Sequence, residues 1–349
     1  MTLLKSPKTL MTVHSPEQQV SFQPRWAADK PAWKQVPVDL GMWAAGGVAV
    51  GLNGLLGSRA CGRLGILMYH RVSPRIAKLP APLYNIQPRS FAAQLEGLAR
   101  RGFQFTSLQT ALAAASRQEC LPAKTVVLTF DDGFASVYTH AWPVLKRMGI
   151  PATVFVSTAY LDSDEPFPFD AWGTAHKDQA PSDSYRPLST DECREMMDSG
   201  LVEIGAHTHT HQDFHGRPES FRKDLLQSVQ IVSERFGLDE VPFAFPYGSE
   251  YSGFASADLR SAADSAGVQC GLTTTAELVN LFDSPFRWGR FNVFSWDTSA
   301  TLAAKLGGWY SWAPKTRQSL ARLLTRRIGP RESLQGAAGL AMGETLTWL

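Results

Sequence analysis

Cysteine is scarce in this 349-residue chain: Cys61, Cys120, Cys193 and Cys270 stand far apart, with no CxxC pair. That spacing excludes a disulfide scaffold and a structural zinc module, and the four are expected to be small apolar residues in a core. An excess of charge of one sign is missing too. Lys and Arg number 34 against 32 Asp and Glu, a formal net charge of +2, so nothing in the overall electrostatics calls for nucleic acid, and none is expected as a partner. The N-terminus, MTLLKSPKTLMTVHSP, has no apolar run followed by a small-residue cleavage site, so a cleaved signal peptide is not expected. No internal repeat of fixed period is present, and a monomer is the default expectation.

What the chain does have is an ordinary globular composition, 44% hydrophobic and 19% charged with 28 Gly and 22 Pro, sufficient to bury a large core. Residues 1–38 are rich in Pro, Ser, Gln and Lys without apolar period and read as a disordered leader. Within 39–61, Leu40 to Ser58 is uncharged and glycine-rich, flanked by Lys34, Asp39, Arg59 and Arg63. Its length barely reaches a bilayer span. It reads as an apolar helix packed on the domain or at an interface, with a membrane anchor as the alternative, and location at a cell envelope or membrane is expected ahead of the cytoplasm. A folded domain is expected over 62–312. There, short apolar runs at Gly65–Tyr69, Thr125–Phe130, Ala152–Val156, Leu201–Gly205, Pro242–Phe245 and Val268–Leu272 alternate with amphipathic stretches, including Pro88–Arg101, Ser136–Arg147, Pro218–Phe236 and Ser256–Ala266. This alternation predicts an α/β fold, a distorted (β/α) barrel of seven or eight units. Residues 162–187 are polar, aromatic and proline-rich, too long for a plain connection, and are expected to form a functional loop. Residues 313–349 complete a basic amphipathic helix and tail: Thr298 to Arg331 carries seven basic residues and no acid, a solvated face or a stripe able to sit on anionic lipid.

Two polar clusters fall at strand exits, the edge where barrel enzymes work. Asp131-Asp132-Gly133 follows Thr125–Phe130, and His207-Thr208-His209-Thr210-His211 follows Leu201–Gly205, so that four of the eight histidines lie between 207 and 215. On a turn of helix, His207 and His211 would project to one side and His209 elsewhere. Two imidazoles and one carboxylate from the first cluster make a three-ligand catalytic zinc site with open positions, and the second carboxylate would take the water's proton.

Thr129-Phe130-Asp131-Asp132-Gly133, His207-Thr208-x-x-His211 and Phe245-Pro246-Tyr247-Gly248 resemble, in order, the first three motifs of the polysaccharide deacetylases, the NodB-homology or carbohydrate esterase family four enzymes. The resemblance covers about residues 62–300. It implies a NodB-like barrel, Asp131 as general base, and Asp132, His207 and His211 as ligands of a divalent metal, usually zinc, with cobalt or nickel as substitutes. It implies that Tyr247 lends its backbone N–H to an oxyanion, and that the partner is an N-acetylated polysaccharide.

Two features depart from the family pattern. Ala244 stands where the third motif usually has the arginine that orients the base, and no histidine follows His215 to serve as the late general acid. Leu67-Met68-Tyr69-His70-Arg71-Val72 resembles the opening strand of the poly-N-acetylglucosamine deacetylase branch, which implies His70 as the acid. Arg290 is the candidate for the missing base-orienting cation. Phe167, Phe169, Trp172, Tyr247 and Trp288 are candidates to stack on pyranose rings. Two further functions stay open: an O-acetyl esterase with the same metal-water chemistry, and a non-catalytic glycan-binding pseudoenzyme.

Overall fold

The computed structural model describes residues 63–309, together with Gly47, Val48, Val50 and Gly51. The expected leader 1–38, most of the apolar segment 39–61 and the basic tail 313–349 lie outside the described residues, although Val50 packs against the core. Among the described residues no helix is long and apolar enough to cross a membrane.

The chain runs β1 (Gly65–Tyr69), β2 (Arg71–Val72), β3 (Asn85–Ile86), α1 (Pro88–Arg100), β4 (Gln104–Thr106), α2 (Leu108–Ser116), β5 (Thr125–Phe130) and α3 (Trp142–Met148). It continues through β6 (Ala152–Val156), α4 (Ala171–His176), α5 (Thr190–Asp198), β7 (Val202–Ala206), α6 (Pro218–Phe236), β8 (Phe243–Ala244), α7 (Ala257–Ser265), β9 (Gly271–Leu272), β10 (Phe291–Asn292) and α8 (Ser299–Leu306). Eight strands form one sheet in the order β10-β1-β5-β6-β7-β8-β9, with β4 paired to β5; every pairing in it is parallel. β4 and β6 share one edge of β5, meeting its residues 125–127 and 129–130 respectively.

The sheet curls into the expected distorted barrel but is not closed by a ladder between β9 and β10. Side-chain and backbone bonds cross that gap instead: Thr273 N–H donates to the Trp288 carbonyl at 2.8 Å, and Arg290 Nε to the Thr273 carbonyl at 3.2 Å.

Strand alternation sorts the core into two layers. Leu67, Val126, Leu128, Val154, Ile204 and Phe243 face outward onto the helices. Ile66, Val127, Phe155, Ala244, Leu272 and Trp288 face inward, where α2 plugs the barrel with Leu108 and Ala111. The inward parity fixes what appears at the strand exits. His70 follows Ile66 and Met68, Asp131 follows Val127 and Thr129, and His207 follows Glu203 and Gly205. Burial of a large apolar side chain contributes about 1.5–3 kcal/mol each, so a one-residue slip that turned these files outward would be strongly disfavoured.

Several local expectations are revised. Trp288 and Phe167 are each 1% exposed and belong to the core, which removes them as sugar platforms. Cys193 and Cys270 are buried as expected, but Cys120 is exposed, in the connection after α2. The stretch before α3 begins with a wider helical turn over Val137–Ala141 rather than regular α-helix. The long loop holds α4 and a short turn at Ser182–Ser184. The capping box that Ser189 and Glu192 suggest is present at the start of α5.

Candidate active site

Asp131 and Asp132 leave β5 in opposite directions. Asp131 keeps the inward parity, its amide donating to the Tyr69 carbonyl at 2.9 Å. Asp132 adopts φ 71° and Gly133 φ 82°, a left-handed pair that turns the second carboxylate toward β7. A Cβ on Gly133 would stand 3.0 Å from Val156 Cγ1, so the residue type is set by both the turn and the close packing.

The Asp131 carboxylate is gripped by Arg290, Nη1 to Oδ1 at 2.5 Å and Nη2 to Oδ2 at 2.7 Å, while Nη1 also donates to Thr129 Oγ1 at 3.1 Å. Arg290 is 0% exposed, so this is no surface ion pair. The cation absent at Ala244 reaches Asp131 from just before β10. Burial pushes the Asp131 carboxyl up, but the Arg290 guanidinium and His207 outweigh it and hold it below the usual carboxylate range.

The second cluster is not a helical turn. Residues 207–211 form a loop with Thr208 at φ 63° and His211 at φ 53°, and those two left-handed residues bring the imidazoles together where a helix was expected. Asp224, on α6, organises the loop: Oδ1 accepts from the amides of His209 (2.6 Å) and Thr210 (3.1 Å), and Oδ2 accepts from Thr210 Oγ1 (2.5 Å). His209 turns away to Thr158 Oγ1 at 3.0 Å, as its place between the two ligands suggested. Sequence reasoning missed Asp224. Its signal was an acid beside the buried file Phe221, Leu225 and Ser228 of an amphipathic helix.

Asp132 Oδ1 lies 3.5 Å from His207 Nε2 and 3.3 Å from His211 Nε2. Ligand atoms of the three residues all lie within 4.8 Å of one another. His207 Nδ1 is 2.8 Å from the Ala244 carbonyl, which accepts only, so Nδ1 is the donor there and Nε2 is the ring nitrogen turned toward Asp132. Burial pushes the His211 pKa down, against the pull of Asp132. Burial also pushes the Asp132 carboxyl up, but the two imidazoles hold it well below the usual range. The donor set, two imidazoles and one carboxylate, fits a divalent cation with open coordination positions.

His70 stands at the exit of β1, its ring stacked on Tyr84 at 4.6 Å and 14°. Burial pushes its pKa down while Asp132 and Asp131 pull it up, so both carboxylates lie within electrostatic reach. Tyr247, at φ 60°, packs its ring edge-on to His211 at 5.0 Å. Of the proposed sugar platforms, Phe169 instead lies on His211, centroids 3.9 Å apart. Trp172 donates its Nε1 hydrogen to the Pro80 carbonyl at 2.8 Å.

A family model described as polysaccharide deacetylase matches residues 118–271. IcaB from Ammonifex degensii is 30% identical, the match covering 70% of this chain and 97% of that one with a TM-score of 0.57. The poly-beta-1,6-N-acetyl-D-glucosamine N-deacetylase of Staphylococcus aureus (strain N315) is 25% identical over 177 residues, 47% of this chain and 54% of the relative. YxkH of Bacillus subtilis (strain 168) is 25% identical over 213 residues, 61% of this chain and 64% of the relative. The chain therefore spans between about half and two thirds of the length of these curated relatives.

Proposed function

Because this chain belongs to the polysaccharide deacetylase family, we propose that it hydrolyses N-acetyl groups from the amino sugars of a polysaccharide, with a divalent metal, zinc by preference, held by Asp132, His207 and His211. The observation that carries this reading is the convergence of those three side chains beside a second carboxylate that is buried, ionised and aimed by Arg290. A cation held there supplies an acidified water and polarises the acetamide carbonyl.

The chain's own groups complete the reaction. Asp131 accepts a proton from the attacking water, its two oxygens oriented by the guanidinium fork. That fork weakens Asp131 as a base yet favours its charged form. The backbone N–H of Tyr247 donates to the oxygen that gains charge as the carbonyl becomes tetrahedral. His70 delivers a proton to the nitrogen as the C–N bond breaks, releasing acetate and a free amine. The resemblance to the Staphylococcus aureus enzyme supports a β-1,6-linked N-acetylglucosamine polymer as the first substrate to try.

Acetate release from poly-β-1,6-N-acetylglucosamine, with bound metal quantified on the same preparation, tests the proposal. Thorough chelation should abolish release, and zinc, cobalt or nickel should restore it. Release that survives complete metal removal would refute the site. Faster release from an O-acetylated glycan would favour the esterase reading, and glycan binding without turnover of either substrate the pseudoenzyme reading.

A further inference from the structure

The two metal-ligating imidazoles are held in unequal ways. His207 is oriented by a hydrogen bond from its far nitrogen to the Ala244 carbonyl on β8, the usual outer support of a metal-bound histidine. His211 has no such support. Among the described residues its buried Nδ1 has no hydrogen-bond partner on another element. What holds the His211 ring is packing: Phe169 stacked on one face at 3.9 Å and 22°, and Tyr247 against it edge-on.

Phe169 lies in the connection between β6 and α5, and the next residue, Asp170, grips Arg71 at the exit of β1 by charge, deeper in the fold than the half-exposed Asp162–Arg235 pair of the same connection. Arg71 Nη2 donates to Asp170 Oδ2 at 2.6 Å, with both side chains buried. Asp170 sits at the N-cap of α4, where an aspartate normally accepts from the helix amides; here it makes no capping bond, its carboxylate being committed to Arg71. The same guanidinium lies 4.0 Å over Phe134. Phe134 meets Phe167 edge-on at 4.9 Å, and Phe167 stacks on Phe169 at 5.0 Å. Arg71 thus reaches Phe169 twice, through its carboxylate neighbour and through a file of rings. Among the described residues Arg71 Nε and Nη1 are buried without a hydrogen-bond partner, a desolvation cost that an ion pair placed for stability alone would not favour.

We infer that Arg71 and Asp170 form a latch that fixes the metal-ligand ring of His211 through Phe169, making all three positioning residues for the metal. The inference rests on the metal reading above and adds to it three residues outside the three motifs that supply the ligands and the base. The latch is anchored one residue beyond His70, so the strand exit that presents the candidate acid also sets the second imidazole.

The test measures zinc affinity of the metal-stripped full chain by competition with a chelating dye, for wild type and for Arg71→Met, Asp170→Asn and Phe169→Leu. Each variant should weaken binding by about 10–100-fold, the range seen when outer support of a ligand is removed. The double variant Arg71→Met with Asp170→Asn should weaken it no more than the worse single one, because the two act as a unit. Arg71→Lys should recover part of the loss. In cobalt-loaded protein, Phe169→Leu should alter the visible ligand-field spectrum, a signature that loosened folding elsewhere would not produce. Lys177→Met, which removes the exposed ion pair to Glu165 in the same connection and leaves the latch intact, should bind zinc as wild type does. Should Arg71→Met not fold, Asp170→Asn and Phe169→Leu decide. Wild-type affinity in folded Asp170→Asn and Phe169→Leu would overturn the latch while leaving the metal site standing; failure of the wild type to bind zinc would overturn both.

Discussion

Arg290 meets Asp131 with both ends of its fork, at 2.5 and 2.7 Å, inside a wall of the barrel where the guanidinium is fully buried. Removing one partner of such a pair strands the other, which costs about 3–5 kcal/mol. Arg290→Met should therefore lower the melting temperature. It should also move the acid limb of kcat/KM upward: in the wild type Asp131 is held below the usual carboxylate range, and without Arg290 the upward push of burial loses its main opponent, so the ionised base is lost at a higher pH as pH falls. Asp131→Asn added to Arg290→Met should recover part of the lost stability and none of the activity. Thermal melts and a pH profile of the wild type and the two variants check this; an unmoved acid limb in Arg290→Met would remove Arg290 from the role.

The three bonds from the His207–His211 loop to Asp224 predict a separate effect on metal binding. Asp224→Ala leaves two amides and a hydroxyl without their acceptor and frees a loop that carries two left-handed residues. Zinc affinity should fall by about 10–100-fold, while Asp224→Asn, which keeps one acceptor oxygen, should fall less. Competitive zinc titration distinguishes these, and equal affinity in all three proteins would show that the loop holds its shape unaided.

The parts of this architecture legible in the sequence were those written in local pattern. β5 and β6 are unbroken β-branched and apolar runs, and the carboxylate and histidine clusters follow strands directly. What was not legible depends on partners distant in sequence. β8, β9 and β10 are two residues long, too short to carry a period, and exist because neighbours present a parallel edge. Arg290 was a candidate from the motif that lacked its arginine, but its pairing with Asp131 spans 159 positions, and nothing local could fix it. The convergence of His207 and His211 was expected from helical spacing, whereas left-handed backbone at Thr208 and His211 achieves it. Arg71 and Asp170 lie 99 positions apart, and each alone resembles an ordinary charged residue.

His70 and the metal ligands should separate cleanly in experiment. His70 lies within electrostatic reach of both carboxylates but makes no ion pair with Asp132, unlike His207 and His211. His70→Ala should depress kcat by about 10²–10⁴-fold, the usual contribution of a positioned acid, with zinc stoichiometry unchanged. A substrate whose leaving group needs no proton, such as an acetate ester of a nitrophenol, should lose far less rate in the same variant. Loss of zinc from His70→Ala would make it a ligand, and equal losses on amide and activated ester would deny it the acid role.

The gap between β9 and β10 gives the last prediction. Gly289 precedes Arg290, and a Cβ there would lie 2.2 Å from the Thr275 carbonyl oxygen and 2.8 Å from Glu277 Cγ. Because the first of these is backbone, Gly289→Ala cannot be absorbed by a side-chain rotation; β10 or the 273–277 stretch has to shift, at about 1–3 kcal/mol. Arg290 donates to both Thr273 and Asp131, so the shift would pull the fork off the base while leaving Asp132, His207 and His211 in place on the other strands. The expected result is a full complement of zinc, a modest fall in melting temperature and a large fall in kcat, with an acid limb displaced in the same direction as in Arg290→Met. Wild-type kcat in folded Gly289→Ala would mean that the fork's aim tolerates movement of the strand that delivers it, and that Asp131 is oriented by other contacts.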